Sequence, residues 1–250
     1  MGRRYRERYG YPLGPPRDRR AAPPGGISIT PWERLEEIPS VVLPYTLLYS
    51  DVSFLTLVGP DVSAWQDAWG LGASAHNATA SANRPSFDGT NVVFDKALGE
   101  RMVWDFSTPE GANDWTWVVG TDLADTSPQY LFDIATGRLA VVKHGTPTAY
   151  LKYYLGSGSY NGLIPIAAGP QVLTYVMKAT NQGEAWLNNV QYGSGLTYSQ
   201  KALSGAARLN ADYTGGYPTG QAVRFIAVYQ GADAADCAAI RAAAMSIMGL

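Results

Sequence analysis

The feature that most constrains the fold is a long succession of short strand-like stretches separated by turn residues, running from residue 61 to residue 230. In "DWTWVVGTDL", residues 114–123, side chains alternate with a period of two, so that Trp115, Trp117 and Val119 share one face. Similar stretches are rich in β-branched and aromatic residues and end at Gly, Pro, Asn or Asp. The pattern predicts an all-β domain of roughly a dozen short strands, arranged as a sandwich or jelly roll.

Two segments have helical patterns. One is short, around residues 33–37. The other, "ADAADCAAIRAAAMSIMG", begins with Asp233 as a candidate N-cap and places Ile240, Ala244 and Ile247 at i, i+4 and i+7. A glycine follows its last helical residue, as is usual for helix ends. We therefore expect a C-terminal helix beside the β-domain.

Residues 1–30 differ from the rest of the chain. They are Arg-, Tyr-, Pro- and Gly-rich, have no apolar periodicity, and carry seven arginines against two acidic residues, while the remainder is net acidic. We predict an extended basic arm at 1–30 and one folded domain at 31–250. The arm would anchor the domain to a protein partner, with nucleic-acid binding or simple disorder as alternatives. The anchoring residues would be Arg3, Arg4, Arg6, Arg8, Arg17, Arg19 and Arg20.

The order of several short motifs resembles a known fold family. A V-x-x-W-x-D opening stands at residues 62–67, an "ANRP" corner at 82–85, a "VVFD" strand at 92–95 and a "WLNN" hairpin at 186–189. In this order, ahead of a last strand that runs into an Ala-rich helix, they resemble concanavalin A-like, laminin-G-type jelly-roll modules. Such modules are frequent in bacteriophage virion proteins and bacterial surface proteins. The resemblance implies a β-sandwich over residues 31–250, with Trp65, Phe87 and Phe94 in its core.

The resemblance and the arm together suggest a function. We expect a non-enzymatic virion structural protein, displayed on the particle surface as a decoration or spike and anchored to capsid or tail proteins by its arm. No signal peptide is visible, so synthesis in the host cytoplasm is expected. Self-association is expected, as a trimer by analogy with displayed phage spikes, and neither a membrane nor a nucleic acid is an expected partner. The alternatives are a lectin-like receptor-binding module of a tail or cell surface, and a glycan-active hydrolase.

Catalytic carboxylates are not evident from the spacing. Glycosidases with this sandwich are expected to place carboxylates on one strand as E-x-D-x-x-E, and that triplet is absent. Glu184 stands isolated in the sequence, and Glu100 and Glu110 flank turns. We interpret these as non-catalytic, and we predict that the protein is not an enzyme.

Metal and cofactor motifs are also missing from the sequence. There are no zinc, P-loop or dinucleotide-binding patterns, so no cofactor and no metal are expected. Asp122, Asp125 and Asp133 could contribute to a calcium site, but solvated turn carboxylates are the favoured interpretation. The lone Cys237 is expected to be buried in the C-terminal helix.

One loop is the candidate ligand site. "LNADYTGGYPTG" spans residues 209–220, and loops of this length often bind ligands. Asp212, Tyr213 and Tyr217 are the candidate contacts to a surface glycan, because Tyr offers a ring for stacking on sugars and Asp accepts hydrogen bonds from hydroxyls. The alternative is an ordinary connecting loop.

Overall fold

A computed structural model gives the structure of the chain. It describes residues 30–69, 78–80, 83–105, 114–123, 129–136, 139–144, 150–155, 158–165, 168–178, 182–197, 204–210 and 220–250. The arginine-rich arm lies outside this range except for Thr30, so its anchoring role stays a prediction.

The described residues form two α-helices and seventeen strands. The helices are α1 (Pro31–Glu37) and α2 (Ala234–Met248), and a 3-10 turn covers Val52–Phe54. The strands are β1 (Leu43–Tyr49), β2 (Leu55–Val58), β3 (Asp61–Trp65), β4 (Ala78–Ala80), β5 (Ser86–Phe87), β6 (Val92–Phe94), β7 (Met102–Asp105), β8 (Trp115–Leu123), β9 (Gln129–Thr136), β10 (Leu139–His144), β11 (Tyr150–Leu155), β12 (Gly158–Pro165), β13 (Gly169–Lys178), β14 (Gln182–Leu187), β15 (Val190–Thr197), β16 (Ser204–Leu209) and β17 (Gln221–Gln230).

One antiparallel sheet, which we call the back sheet, has the strand order β1-β17-β8-β13-β14-β15. Its register is visible in one row of paired residues that crosses five strands. Thr46 is opposite Val228, Val228 is opposite Trp117, Trp117 is opposite Tyr175, and Tyr175 is opposite Ala185. Val228, Trp117, Tyr175 and Ala185 belong to the main core cluster, so this row faces the interior of the sandwich.

The second, front sheet has the order β2-β3-β4-β7-β16-β9-β10-β11-β12, again antiparallel. Two short strands connect it to the back sheet, because β5 pairs with β3 and β6, and β6 pairs with the start of β17. The expected all-β sandwich with a C-terminal helix is therefore confirmed.

The main core lies between the sheets. Trp104 of the front sheet meets Trp117 of the back sheet edge to face, with ring centroids 5.9 Å apart. Trp65 and Phe94 are buried in the same core, and Phe87 packs against it while half-buried. The predicted core role of the three motif residues is confirmed.

A second apolar layer covers the outer face of the back sheet. Leu47, Phe225 and Tyr229 point away from the main core and pack with Leu35 of α1 and Ile240 of α2. The Tyr229 hydroxyl donates to the backbone oxygen of Leu35 at 2.9 Å. Both faces of the central strands β17, β8 and β13 are buried, which explains why these strands are almost continuously apolar.

The predicted helix ends and turns agree with the structure. Asp233 caps α2 by accepting the backbone N–H groups of Ala235 and Asp236, and Gly249 ends the helix at φ 73°. Asn188 takes φ 53° in the two-residue turn between β14 and β15.

Cys237 is buried, as expected. In the described part of the chain, neither helix is long and apolar enough to span a membrane.

Candidate functional site

Strands from both sheets end together at one end of the sandwich. Gln221, the first residue of β17, pairs with Phe94 at the end of β6 and with Leu123 at the end of β8. Leu209 at the end of β16 pairs with Met102 at the start of β7. The long loop predicted as a ligand site therefore leaves and re-enters the fold here. We call this end the Glu100 pole, defined by Asp61, Asp95, Glu100, Asn210 and Gln221.

A tight turn at residues 95–100 builds one side of the pole. The backbone N–H of Asp95 donates to Oε2 of Glu100 at 2.7 Å, and the N–H of Glu100 returns to the carbonyl of Asp95 at 3.3 Å. Oδ1 of Asp95 accepts the N–H of Ala97 at 2.7 Å. Asn83, from the "ANRP" corner, donates its side-chain amide to the carbonyl of Leu98. The corner motif thus holds the turn as well as directing the chain into the core.

Glu100 differs from the other two carboxyls of the pole in its burial. Only 7% of the residue is exposed, whereas Asp95 is exposed and Asp61 is half-buried. Burial raises the pKa of the Glu100 carboxyl, and the negative charges of Asp95 and Asp61 raise it further, against the N–H hydrogen bond from Asp95 that lowers it. A carboxyl of this kind retains its proton to higher pH than an ordinary glutamate.

Two buried amides form the other side of the pole. Asn210 is 0% exposed and Gln221 is 3% exposed, and the Nε2 group of Gln221 donates to Oδ1 of Asn210 at 3.2 Å. The Nδ2 group of Asn210 donates to the carbonyl of Glu100 at 2.6 Å. Nε2 of Gln221 and the backbone N–H of Asn210 both donate to the carbonyl of Leu131, at 3.2 and 2.8 Å. The turn, β9, β16 and β17 are thereby joined in one polar network.

The predicted glycan contacts Asp212, Tyr213 and Tyr217 lie outside the described residues, so the prediction stands untested. The structure describes instead the residues that bracket their loop, Asn210 and Gln221, and it adds a carboxyl that sequence reasoning set aside. The signal for Glu100 was present in "DKALGE", where an acidic residue flanks each side of a short turn. Its burial could not be read from that pattern.

One interpretation of an acidic residue needs correction. Asp133 is not a solvated turn carboxylate, because it lies inside β9 and is 0% exposed, while Asp125 lies outside the described residues. Glu184 forms an ion pair with Lys178 across the β13–β14 hairpin. Within the described ranges, no group of three or more His, Cys, Asp or Glu side chains is placed to hold a metal ion.

Comparisons with known proteins give fold neighbours only. No family model matches the chain, and no curated protein matches it. Among solved structures, a mutant Trypanosoma rangeli sialidase with trans-sialidase activity is similar over 82% of this chain and 33% of its own, at 12% identity and a TM-score of 0.55. An arabinofuranosidase complexed with arabinofuranosyl-α-1,2-xylobiose is similar over 75% of this chain and 51% of its own, at 11% identity and a TM-score of 0.57.

A third neighbour is a single domain. Domain 4 of an extracellular arabinanase from Geobacillus stearothermophilus, in complex with arabinotriose, is similar over 81% of this chain and 98% of its own. The identity is 14% and the TM-score 0.53. The chain thus spans a third to a half of the two enzymes but nearly all of this domain. At such identities the likeness shows the β-sandwich fold.

These neighbours overturn the functional expectation. A non-enzymatic virion structural protein was predicted, yet the neighbours named above are glycan-processing enzymes or a domain of one. The prediction that the protein is not an enzyme is wrong for the same reason. The motifs behind it build corners, core strands and hairpins, which a glycan-active sandwich needs as much as a virion protein does. Sequence spacing also fails to reveal that the negative charge of Asp61 acts on Glu100 in the fold.

Proposed function

We propose that this chain is a glycan-active β-sandwich that binds an oligosaccharide at the Glu100 pole. The observation that carries the proposal is the composition of the pole, where a nearly buried carboxyl lies beside two aspartates and two buried amides. Carboxylates accept hydrogen bonds from sugar hydroxyls. The two amides are hydrogen-bonded within the protein and would hold the shape of the pole. The predicted aromatic contacts, Tyr213 and Tyr217, are in the loop bracketed by the pole and would add stacking surface.

The fold neighbours support a sugar ligand and suggest which sugars to try. The arabinanase domain is in complex with arabinotriose, and this chain covers 98% of its length. Another structure is a Trypanosoma rangeli sialidase in complex with sialic acid, similar over 84% of this chain and 34% of its own. Arabinose oligosaccharides and sialylated glycans are therefore the first probes.

Glycoside hydrolysis is the second candidate function, and the raised pKa of Glu100 favours it. A glycosidase acid must hold a proton near its working pH, and burial next to other carboxylates is how proteins achieve this. Glu100 would protonate the glycosidic oxygen, and Asp61 or Asp95 would serve as the second carboxylate that such chemistry needs.

The proposed family is the laminin-G-type jelly roll, supported by the motif order and the sandwich.

Titration of the full chain with arabinotriose and with sialyllactose tests the proposal. Calorimetry should detect binding of at least one sugar with a Kd between about 10 µM and 1 mM, a range typical of modest affinity. Glu100→Gln should alter that binding, whereas Glu37→Gln, a change on the exposed side of α1, should leave it unchanged. Sugar release measured in the same samples tests hydrolysis, which Glu100→Gln should abolish. If neither sugar binds and none is cleaved, the proposed function is wrong.

A further inference from the structure

A buried arginine lies on the outer face of the back sheet. Arg241, in the middle of α2, is only 6% exposed, and its guanidinium lies over the ring of Trp186 on β14, with Cζ 3.8 Å from the ring centroid. Nε of Arg241 is buried and has no hydrogen-bond partner among the described residues. Burial lowers the pKa of this guanidinium, because its charge is held away from water. Such a group normally has a partner, so its environment needs an explanation.

Two further polar groups beside the arginine also lack partners. Trp186 follows Ala185, which faces the main core, so Trp186 and its cross-strand partner Thr174 lie on the outer face. The indole Nε1 of Trp186 and the hydroxyl of Thr174 are buried, and neither is hydrogen-bonded within the described part of the chain. Directly opposed side chains of an antiparallel pair have their Cβ atoms about 5 Å apart. Three unpartnered groups that can donate a hydrogen bond therefore lie close together.

The ionisable groups near Arg241 do not neutralise it by direct contact. The charge of Glu184 acts on Arg241, but Oε1 of Glu184 is paired with Nζ of Lys178, and no described carboxylate forms a salt bridge with Arg241. Cys237, one turn earlier on α2, shares a hydrogen bond with the hydroxyl of Thr116 at 3.3 Å. Burial raises the pKa of the Cys237 thiol, so it is uncharged at neutral pH. A buried positive charge without a counter-ion in contact is costly.

We propose that Arg241, Trp186 and Thr174 form a binding site for a small oxyanion, a carboxylate or a phosphate. The guanidinium and indole groups can only donate, and the Thr174 hydroxyl can also donate, so a ligand group rich in acceptor oxygens satisfies all three. The planar guanidinium matches two oxygens of one such group. Trp186 is half-buried, so the site opens to solvent at its side.

This oxyanion site is separate from the proposed oligosaccharide site. Thr174 is opposite Val118 on β8, five residues before Leu123, which ends that strand at the Glu100 pole. That spacing corresponds to about 17 Å along the strand. Anion binding can therefore be measured without a sugar, and its outcome is independent of the proposed function.

NMR of the full chain observes two of the three donors directly. The Nε–H signal of Arg241 and the indole N–H signal of Trp186 are followed while sodium acetate or sodium phosphate is added to about 50 mM, with sodium chloride balancing the ionic strength. At least one of the two anions should shift both signals along a saturating curve, with a Kd below about 10 mM. The anion that binds identifies the ligand group as a carboxylate or a phosphate.

Variants test whether the three side chains hold the anion. Arg241→Lys keeps the charge but loses the planar fork, and should weaken binding about tenfold, measured at the Trp186 indole. Thr174→Val removes one hydroxyl and should weaken binding about threefold. Arg34→Gln, which removes an exposed arginine from α1, is the matched control and should bind as the wild type does. If Arg241→Lys does not fold, Trp186→Phe replaces it, because it keeps a ring under the guanidinium and loses only the indole donor.

Two results would overturn the proposal. One is a set of shifts that stay linear up to about 50 mM with both anions, which would leave water as the partner of these donors. The other is the same Kd in the wild type, in Thr174→Val and in the Arg241 or Trp186 variant, which would place the bound anion elsewhere on the protein.

Discussion

Asp236, in the first turn of α2, accepts hydrogen bonds from both the backbone N–H and the hydroxyl of Ser40, at 3.0 Å, although the two residues are 196 positions apart. The same carboxylate accepts the N–H groups of Val41 and Val42, at 2.6 and 2.8 Å. One side chain therefore joins the segment between α1 and β1 to the C-terminal helix. Val42 directly precedes Leu43, and Leu43 pairs with Gln230, the last residue of β17. The contact therefore lies at the opposite end of β17 from the Glu100 pole.

Asp236→Ala should lower the free energy of unfolding by about 3 kcal/mol, because three backbone N–H groups lose a charged acceptor. Urea unfolding at pH 7 measures this. Asp233→Ala is the control, since it removes an N-cap and should cost only about 1 kcal/mol. Equal losses in the two variants would show that the Asp236 contacts contribute no more than an ordinary helix cap.

The effect of Asp236 should depend on pH. Burial would raise the pKa of this carboxyl, but the N–H groups of Ser40, Val42 and Val41 together outweigh burial and hold it below its ordinary value. Its stabilisation is therefore present above about pH 4 and is lost as the pH falls through the lowered folded pKa. The stability difference between wild type and Asp236→Ala should shrink only in that acid range. A difference that already shrinks between pH 7 and pH 5 would contradict this.

Glu100→Gln should make the fold more stable at pH 8. Burial and the charges of Asp95 and Asp61 raise the pKa of Glu100 in the folded state, so the folded protein binds more protons than the unfolded chain between the unfolded pKa and this raised pKa. The stabilisation contributed by the Glu100 carboxyl is complete below the pKa that it has in the unfolded chain. It is lost as the pH rises through the higher pKa that it has in the folded protein. Glutamine can still accept the N–H of Asp95. Urea unfolding from pH 4 to pH 8 should show the advantage of the variant growing with pH.

The matched control for this prediction is Glu37→Gln on the exposed side of α1, which should stay within about 0.5 kcal/mol of wild type at every pH. If Glu100→Gln is less stable than wild type at pH 8, then ionised Glu100 stabilises the pole, and the account of its environment is wrong.

Gly120→Ala should destabilise the protein by about 3 kcal/mol through overpacking. A Cβ at this position would overlap the ring of Phe225 and lie 2.9 Å from the sulfur of Met248. Thermal and urea unfolding measure the loss. Adding Phe225→Leu should restore part of it by making room, although the leucine alone also costs stability. No recovery in the double variant would mean that the ring is not the obstacle.

Much of the fold could be predicted because it depends on local patterns. The alternation of Trp115, Trp117 and Val119 placed all three in the main core, and Asp233 caps α2 as the sequence suggested. What could not be predicted was the coverage of the outer face of the back sheet by both helices. That arrangement depends on long-range packing, such as the contact from Tyr229 to Leu35, and leaves no periodic signal in the chain.

The candidate site was harder to predict for the same reason. The long loop ahead of β17 was singled out by its composition, and its glycan contacts stay a prediction. Glu100 and Asn210 are 110 positions apart and meet only in the fold. Glu100 was set aside because it flanks a turn and no spacing of carboxylates pointed to it. Its burial depends on strands that come from distant parts of the sequence.

The most direct test of the central claim is a backbone amide NMR titration of the full chain with arabinotriose and, separately, with sialyllactose. The account predicts that one sugar shifts the amides of residues 95–100, Asn210 and Gln221, while those of Ser40 and Val42, about 30 Å away along β17, stay unchanged. Shifts confined to the Ser40 end, or no shifts with either sugar at millimolar concentration, would contradict glycan binding at the Glu100 pole.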